Sequence, residues 1–354
     1  MDKKDILVNH NDLQHFVTTL LEKTGLSPED AAFFAQSLVD INLWGIDSHG
    51  VLRLPIYIKR LRTDACNPRP NIKTVKSAIT LEVFDGDNGP GQIVGRAAME
   101  RAIELAKTYN VGIVEAFHSN HFGAAATYSR MAVAKGMLGV AMTNVVQNMV
   151  APGGSKSIIG NNPFSVAVPT YGDFPFVLDI SFSAVSGGKL LLASKKGEKI
   201  PRDWGTDKFG RPTDDPDEAF NGFLLPVGAY KGLGLAYVVE ILTGVLSGGV
   251  FLDAMKGMYK YPDDPSLTSH MMMAVNISAI MDPGELGNRM TEFTQKIHTS
   301  PMWDNQQEML IPGELEYRSM QARKANGIPL PQNLYEELVS LATELGVPVT
   351  LSKM

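Results

Sequence analysis

Apolar positions along the chain switch from a helical period to a strand period and back again. Leu13, Phe16, Val17, Leu20 and Leu21 recur at the i, i+3, i+4 spacing and Gly25 ends the run, which predicts an amphipathic helix. Ser27-Pro28-Glu29-Asp30 then supplies an N-cap, a proline at the first helical position and an acid three residues on, so a second helix opens there. From about Ala78 the character changes: Ile79, Leu81 and Val83 alternate as in a half-buried strand, residues 96–109 read as a helix and 111–117 as a strand. Further strands are expected at 138–143, 165–169 and 176–180, and a helical stretch returns after about Asn333. The pattern predicts an α/β middle, residues 76–314, flanked by a mostly helical unit built from 1–75 together with 315–354.

Residues 232–252 are apolar enough to raise a membrane-spanning reading, but Glu240 sits at their centre and Gly232, Gly234, Gly244, Gly248 and Gly249 interrupt them. They read as a buried helix packed closely through its glycines. A chain of 354 residues suggests about two domains with a substantial core. Its net charge of -6 gives no basic footprint, which argues against nucleic acid and acidic membrane surfaces as partners. The lone Cys66 cannot form an internal disulfide, and the N-terminal residues lack an apolar run of signal-peptide length; both fit a cytoplasmic protein. No internal repeat or low-complexity tract is visible.

Candidate chemistry begins at Asp47-Ser48-His49-Gly50-Val51-Leu52-Arg53. If the chain is helical from Gly50 onward, His49 and Arg53 share a face and can converge on one small ligand. A guanidinium suits a carboxylate and an imidazole suits proton transfer to a neighbouring carbonyl oxygen. The plainer alternative is a helix start capped by Ser48, with His49 an ordinary loop residue. Gly89-Pro90-Gly91-Gln92-Ile93-Val94-Gly95 occupies the place of a dinucleotide fingerprint, but its third glycine follows the second by four residues instead of three, so a structural turn is expected. His118 and His121 flank the end of a strand, where α/β proteins face their ligands; two histidines three apart, with no third ligand type nearby, argue against a metal site, and His118 reads as the structural one. Gly153–Lys156, Gly160–Pro163, Asp179-Ile180-Ser181, Gly228–Gly232 and Pro312-Gly313-Glu314 are polar turns, each ambiguous alone; Lys231 at the head of a helix favours phosphate, and Asp179 could meet ribose hydroxyls.

Taken in order, these pieces resemble the type 2 malate/L-lactate dehydrogenase family of NAD(P)-dependent oxidoreductases, from about Leu13 to Val347. The resemblance rests on SHG-x-x-R at Ser48 to Arg53, N-H-F-G at Asn120 to Gly123 and G-x-N-P at Gly160 to Pro163. It extends over the I-P…W…D-x-x-G-x-P-T-x-D-P run from Ile200 to Pro216, L-L-P…K-G-x-G-L from Leu224 to Leu235, and I-P-G-E at Ile311 to Glu314. It implies a non-Rossmann mixed-sheet α/β cofactor domain joined to a mostly helical domain, and a homodimer with sites near the subunit interface. It further implies NAD or NADP as cofactor and a small carboxylate substrate, a 2-hydroxy or 2-oxo acid. His49 matches the proton donor or acceptor, His121 a second active-site histidine, and Ser48 and Arg53 the substrate side. Asn144, Asp179, Ile180, Ser181, Tyr230, Lys231, Pro312, Gly313 and Glu314 match the cofactor side.

Three departures border that pocket. Val145 to Met149 replace a Pro-rich connection, Ile180-Ser181-Phe182-Ser183 stand where Met-Ala-Thr-Ser is common, and Tyr230 replaces a more usual histidine. They leave open which acid is the substrate, and whether NAD or NADP serves. In the expected reaction His49, charged in advance, protonates the oxygen that gains charge as hydride reaches the carbonyl carbon. The same constellation suits reduction of a cyclic imino acid. A metal-dependent hydrolase or lyase using His49, His118 and His121, and a non-catalytic binding protein, are the alternatives from other classes.

Overall fold

A computed structural model describes residues 5–304 and 307–352. The first two helices form as their caps and periods require. His10–Glu22 buries Leu13, Phe16, Val17, Leu20 and Leu21, and Asn9 accepts from the amides of Asn11 and Asp12 at its start. Pro28–Leu43 opens on Ser27, whose hydroxyl accepts from the Asp30 amide. Their apolar faces share one core with Leu54, Ile58 and Leu61 and with Ile328, Leu330, Leu334 and Leu338 near the other end of the chain. The strand Ile6–Val8 pairs antiparallel with Ile328–Leu330 and stitches the two ends together.

The centre is a seven-stranded mixed sheet in the order Lys73–Ser77, Leu81–Asp85, Val111–Ser119, Thr268–Asn276, Met137–Thr143, Phe164–Val168, Phe176–Ile180. Among its neighbouring pairs only Leu81–Asp85 with Val111–Ser119 is parallel. Helices Gly91–Tyr109 and Ala126–Val133 cover one face, where Val94, Ala98, Met99, Ala102 and Tyr128 meet Val114, Ala141 and Met272. Leu233, Ala236 and Val239 cover the other face, against Val140, Met142 and Met271. A four-stranded sheet of short strands, Gly205–Thr206, Phe223–Leu224, Met149–Val150 and Ser157–Ile159, lies beside it.

Two expectations change. Ile79 lies just outside its strand and is 72% exposed, because the strand begins at Leu81. Residues 232–252 form no single buried helix: Tyr230–Glu240 is α-helical, Ile241–Val245 is a π-helical turn, and Leu235, Val238, Ile241 and Leu246 are exposed. The glycines act unevenly. A Cβ at Gly232 would sit 2.2 Å from the Val227 carbonyl oxygen, whereas Gly234 and Gly248 face open space. Glu240 is buried but satisfied, accepting from the Asn162 amide group at 2.8 Å and the Leu252 backbone N–H at 2.9 Å. Among the described residues no helix is long and apolar enough to cross a membrane.

Candidate active site

Pairing directions decide where the site lies. Strands Leu81–Asp85, Val111–Ser119, Met137–Thr143 and Phe176–Ile180 all run the same way, so their C-terminal ends meet one edge of the sheet. That edge is the usual ligand side of an α/β sheet. It carries Asn120 to Gly123, Thr143-Asn144 and Asp179 to Ser181.

The turn bearing His49 is brought to this edge by the helical unit. Asp47–His49 and Val51–Arg53 are two successive 3-10 turns, followed by the helix Leu54–Leu61, so no α-helix starts at Gly50 and Ser48 caps none. Asp47 is gripped by both Nη atoms of Arg323 at 2.6 and 2.9 Å, and by the Asn42 amide group at 2.6 Å. Asn42 also accepts from the Val51 backbone N–H at 2.8 Å, and its side chain fills the space a Cβ at Gly50 would need. Ser48 Oγ lies 3.0 Å from His49 Nδ1. Arg53 Nε donates to the Ser48 carbonyl at 2.7 Å, and its Nη1 donates to the Tyr259 hydroxyl at 2.8 Å.

His121 comes from the opposite side. Its ring stacks on that of His49 with centroids 5.9 Å apart. The Gly123 N–H donates to His121 Nδ1 at 3.2 Å, and the Tyr57 hydroxyl lies 2.7 Å from the same nitrogen. A backbone N–H can only donate, so Nδ1 is the acceptor and the neutral ring carries its proton on Nε2. Asn120 fixes the loop: its amide group donates to the carbonyls of Asn88 and Gly89, and its oxygen accepts from the buried guanidinium of Arg60 at 2.8 Å. The glycine turn before it is structural, since a Cβ at Gly91 would lie 2.2 Å from the Asn120 carbonyl oxygen and one at Gly95 2.7 Å from Tyr128. His118 is bound instead to Asp85 at 2.9 Å.

Both active-edge imidazoles are held neutral. Burial, aided by the nearby Arg53 cation, pushes His49 down to about 4 and holds His121 well below the ordinary histidine value. This corrects the expectation of a His49 charged in advance. Beneath them His270, pushed down to about 3 by burial, stacks on Phe122 and bonds Thr143 Oγ1 and Ser119 Oγ, each at 2.8 Å.

The cofactor-side positions are spread along the strand Phe176–Ile180, with Pro312 and Gly313 at its start and Asp179 to Ser181 at its end. Pro312 accepts from the Val177 N–H at 3.0 Å, and a Cβ at Gly313 (φ +99°) would lie 2.7 Å from the Pro175 carbonyl oxygen. On the other side the Val227 N–H donates to the Phe182 carbonyl, bringing Tyr230 and Lys231 alongside. Asp179 accepts from the Ala126 N–H at 2.8 Å through one oxygen, and burial pushes its carboxyl up to about 7. Ile180 and Tyr230 are exposed, and Ser181 Oγ lies 3.3 Å from Ser183 Oγ. Lys231 is exposed in the first turn of its helix and has no ion-pair partner among the described residues. A free cation, a carboxylate with one oxygen to spare and an exposed apolar surface fit a dinucleotide.

Two of the expected cofactor side chains are committed within the protein. Asn144 is fully buried, donating to the Val250 carbonyl and accepting from the Ser269 N–H. Glu314 is buried against His298 and Arg318, at 2.8 and 2.7 Å. Tyr57, Arg60, Tyr259 and Arg323 were not singled out from the sequence. Tyr57 had a signal, since it follows Arg53 by four residues on one helix face; the others reach the site from distant segments.

The sequence matches the malate/L-lactate dehydrogenase family over residues 8–339. It is 37% identical to the malate dehydrogenase of Pyrococcus abyssi over 98% of this chain and 97% of that protein. The solved structure of sulfolactate dehydrogenase from Methanocaldococcus jannaschii superposes with a TM-score of 0.92 at 36% identity, covering 97% of this chain and 98% of the other. A delta1-piperideine-2-carboxylate reductase from Pseudomonas syringae pvar. tomato superposes at 0.84, with 25% identity, over 95% and 99% of the two chains. With a match of this extent, and with the fold shared throughout, the chain belongs to the malate/L-lactate dehydrogenase family, oxidoreductases of 2-hydroxy acids that work with a nicotinamide cofactor.

Proposed function

We propose that the chain interconverts a small 2-hydroxy acid and its 2-oxo acid with NAD or NADP. The observation that carries this reading is the meeting of two neutral imidazoles with one guanidinium at the ligand edge of the sheet. Bound nicotinamide supplies or accepts the hydride.

In the oxidising direction neutral His49 takes the hydroxyl proton of the substrate, a task a ring titrating at about 4 is always ready for at neutral pH. In the reducing direction His49 must first gain a proton. A substrate carboxylate on Arg53 offsets one of the two causes that hold His49 down, so substrate binding and protonation favour each other. Arg53 anchors the carboxylate, and His121 directs its Nε2 proton at the substrate oxygen. Ser48 supports both, through its hydroxyl at His49 and its carbonyl at Arg53. On the cofactor side Lys231 holds phosphate, Asp179 takes ribose hydroxyls, and Ile180, Ser181, Tyr230, Pro312 and Gly313 form the walls. Asn144 and Glu314 act by bracing those walls, given their committed side chains. The same reading has the protein in the cytoplasm as a homodimer, with the exposed apolar face at Leu235, Val238 and Ile241 available to a second copy.

The resemblance to a piperideine-carboxylate reductase makes a cyclic imino acid the second substrate class. A panel of 2-oxo acids and cyclic imines assayed with NADH and NADPH separates the two. Turnover of 2-oxo acids supports the main reading; turnover of imines alone replaces it with the second.

A further inference from the structure

Tyr259 lies in a loop that crosses from the cofactor side to Arg53. Gly257 abuts Val146, a Cβ on it lying 3.4 Å from that side chain. Met258 is buried in the core of the helical unit. The amides of Lys260 and Tyr261 close a turn on the Gly257 carbonyl. Arg60, 3% exposed, clamps the far side by donating to the carbonyls of Tyr261 and Pro262 at 3.2 Å and to Ser266 Oγ at 3.1 Å. The Tyr259 ring is therefore held in place although it is 60% exposed.

Its hydroxyl accepts from Arg53 Nη1, and the guanidinium carbon lies 5.3 Å from the ring centroid. An arginine only donates, so the phenol keeps its own proton for another acceptor. Arg53 Nε is already spent on the Ser48 carbonyl, which closes the guanidinium edge formed by Nε with its adjoining Nη. The Nη1–Nη2 end is then left for a carboxylate, and the Tyr259 hydroxyl is bonded to one of its two nitrogens.

We propose that Tyr259 is a substrate-binding residue: its hydroxyl accepts from Arg53 and donates to the 1-carboxylate that Arg53 holds. This rests on the reading of the site as one for 2-oxo acids. The Tyr259→Phe enzyme keeps the ring and loses the donor. Removal of one hydrogen bond to a charged group should raise KM about tenfold for pyruvate and for oxaloacetate alike. Cofactor affinity and melting temperature should stay at wild-type values.

The test pairs those kinetics with titration of oxamate, a carboxylate-bearing analogue of pyruvate, into the wild-type and Tyr259→Phe proteins saturated with NADH or NADPH. Weaker oxamate binding with KM raised by a similar factor for both oxo acids supports the assignment. Unchanged affinity, absence of oxamate binding to wild type, or a KM effect confined to oxaloacetate overturns it. A wild-type enzyme that binds oxamate but reduces no 2-oxo acid would instead refute the proposed reaction, and the oxamate comparison would still decide the role of Tyr259.

Discussion

The depressed basicity of His49 sets a pH profile that can be worked out in advance. A ring titrating at about 4 is about 99% deprotonated at pH 6, whereas an ordinary one near 6.5 is only about 24% deprotonated there. On the proposed reading, oxidation of the 2-hydroxy acid substrate needs the neutral ring. With cofactor held saturating at every pH, so that the titration of Asp179, raised to about 7, does not enter through cofactor binding, kcat/KM for the hydroxy acid should stay flat between pH 8 and 6 and fall only as pH approaches the low value. The sign for stability follows from the same shift. An unfolded chain takes up this proton below about 6.5 and the folded one does not, so the contribution is fully present above that pH and is lost as pH falls toward 4. In an Arg53→Gln enzyme the secondary cause is gone and desolvation remains, so the acid limb should move up in pH while staying below the ordinary value. Initial rates in a constant-ionic-strength buffer series measure both. A wild-type profile that halves near pH 6.5 would refute the argument.

Lys231→Ala should weaken NADH or NADPH binding, read by fluorescence titration, and leave the pH dependence of the reaction unchanged, because the cation stands at a helix start beside the cofactor strand. Arg53→Lys keeps the charge and loses the planar fork, so KM for 2-oxo acids should rise and kcat fall with no change in cofactor affinity; a lowered melting temperature with unaltered kinetics would make Arg53 structural. Arg323→Met touches no substrate, yet it releases Asp47 and with it the His49 turn. A loss of about 1–2 kcal/mol of stability, seen in a melting curve, should accompany a lowered kcat.

Local signals explain which parts of the fold could be read from the sequence. The helix at 10–22 announces itself through a clean apolar period and the one at 28–43 through Ser27 and Pro28 at its head, whereas the Asn9 cap shows only in the structure. The strand Phe176–Ile180 reads as found. Helices Gly187–Lys196 and Glu314–Asn326 escape because they bury little, whereas Pro283–His298 carries an apolar stripe at Leu286, Met290, Phe293 and Ile297 that the sequence reading passes over, although none of it is fully buried. The π-helical turn escapes for another reason, since Ile241 and Val245 face outward while Leu242 packs inward, and periodicity does not tell which side is covered. In the site, Ser48, His49, Arg53 and His121 are legible as chemistry and converge in space. Residue type alone did not show that Asn144 and Glu314 spend their side chains inside the protein. Nor did it show that burial beside Arg53 keeps His49 neutral. Tyr259 reaches Arg53 across two hundred residues of chain, a contact only the folded loop creates.

Isotope transfer tests the central claim most directly. The purified protein is incubated with a 2-oxo acid and nicotinamide cofactor deuterated at the reactive C4 position of the reduced ring, and the 2-hydroxy acid product is analysed by NMR and mass spectrometry. The account predicts deuterium at C2 of the product, with the rate in a His49→Ala enzyme lowered about 10²- to 10⁴-fold while cofactor affinity is retained. Product without deuterium at C2, or a His49→Ala enzyme as fast as wild type, would contradict it.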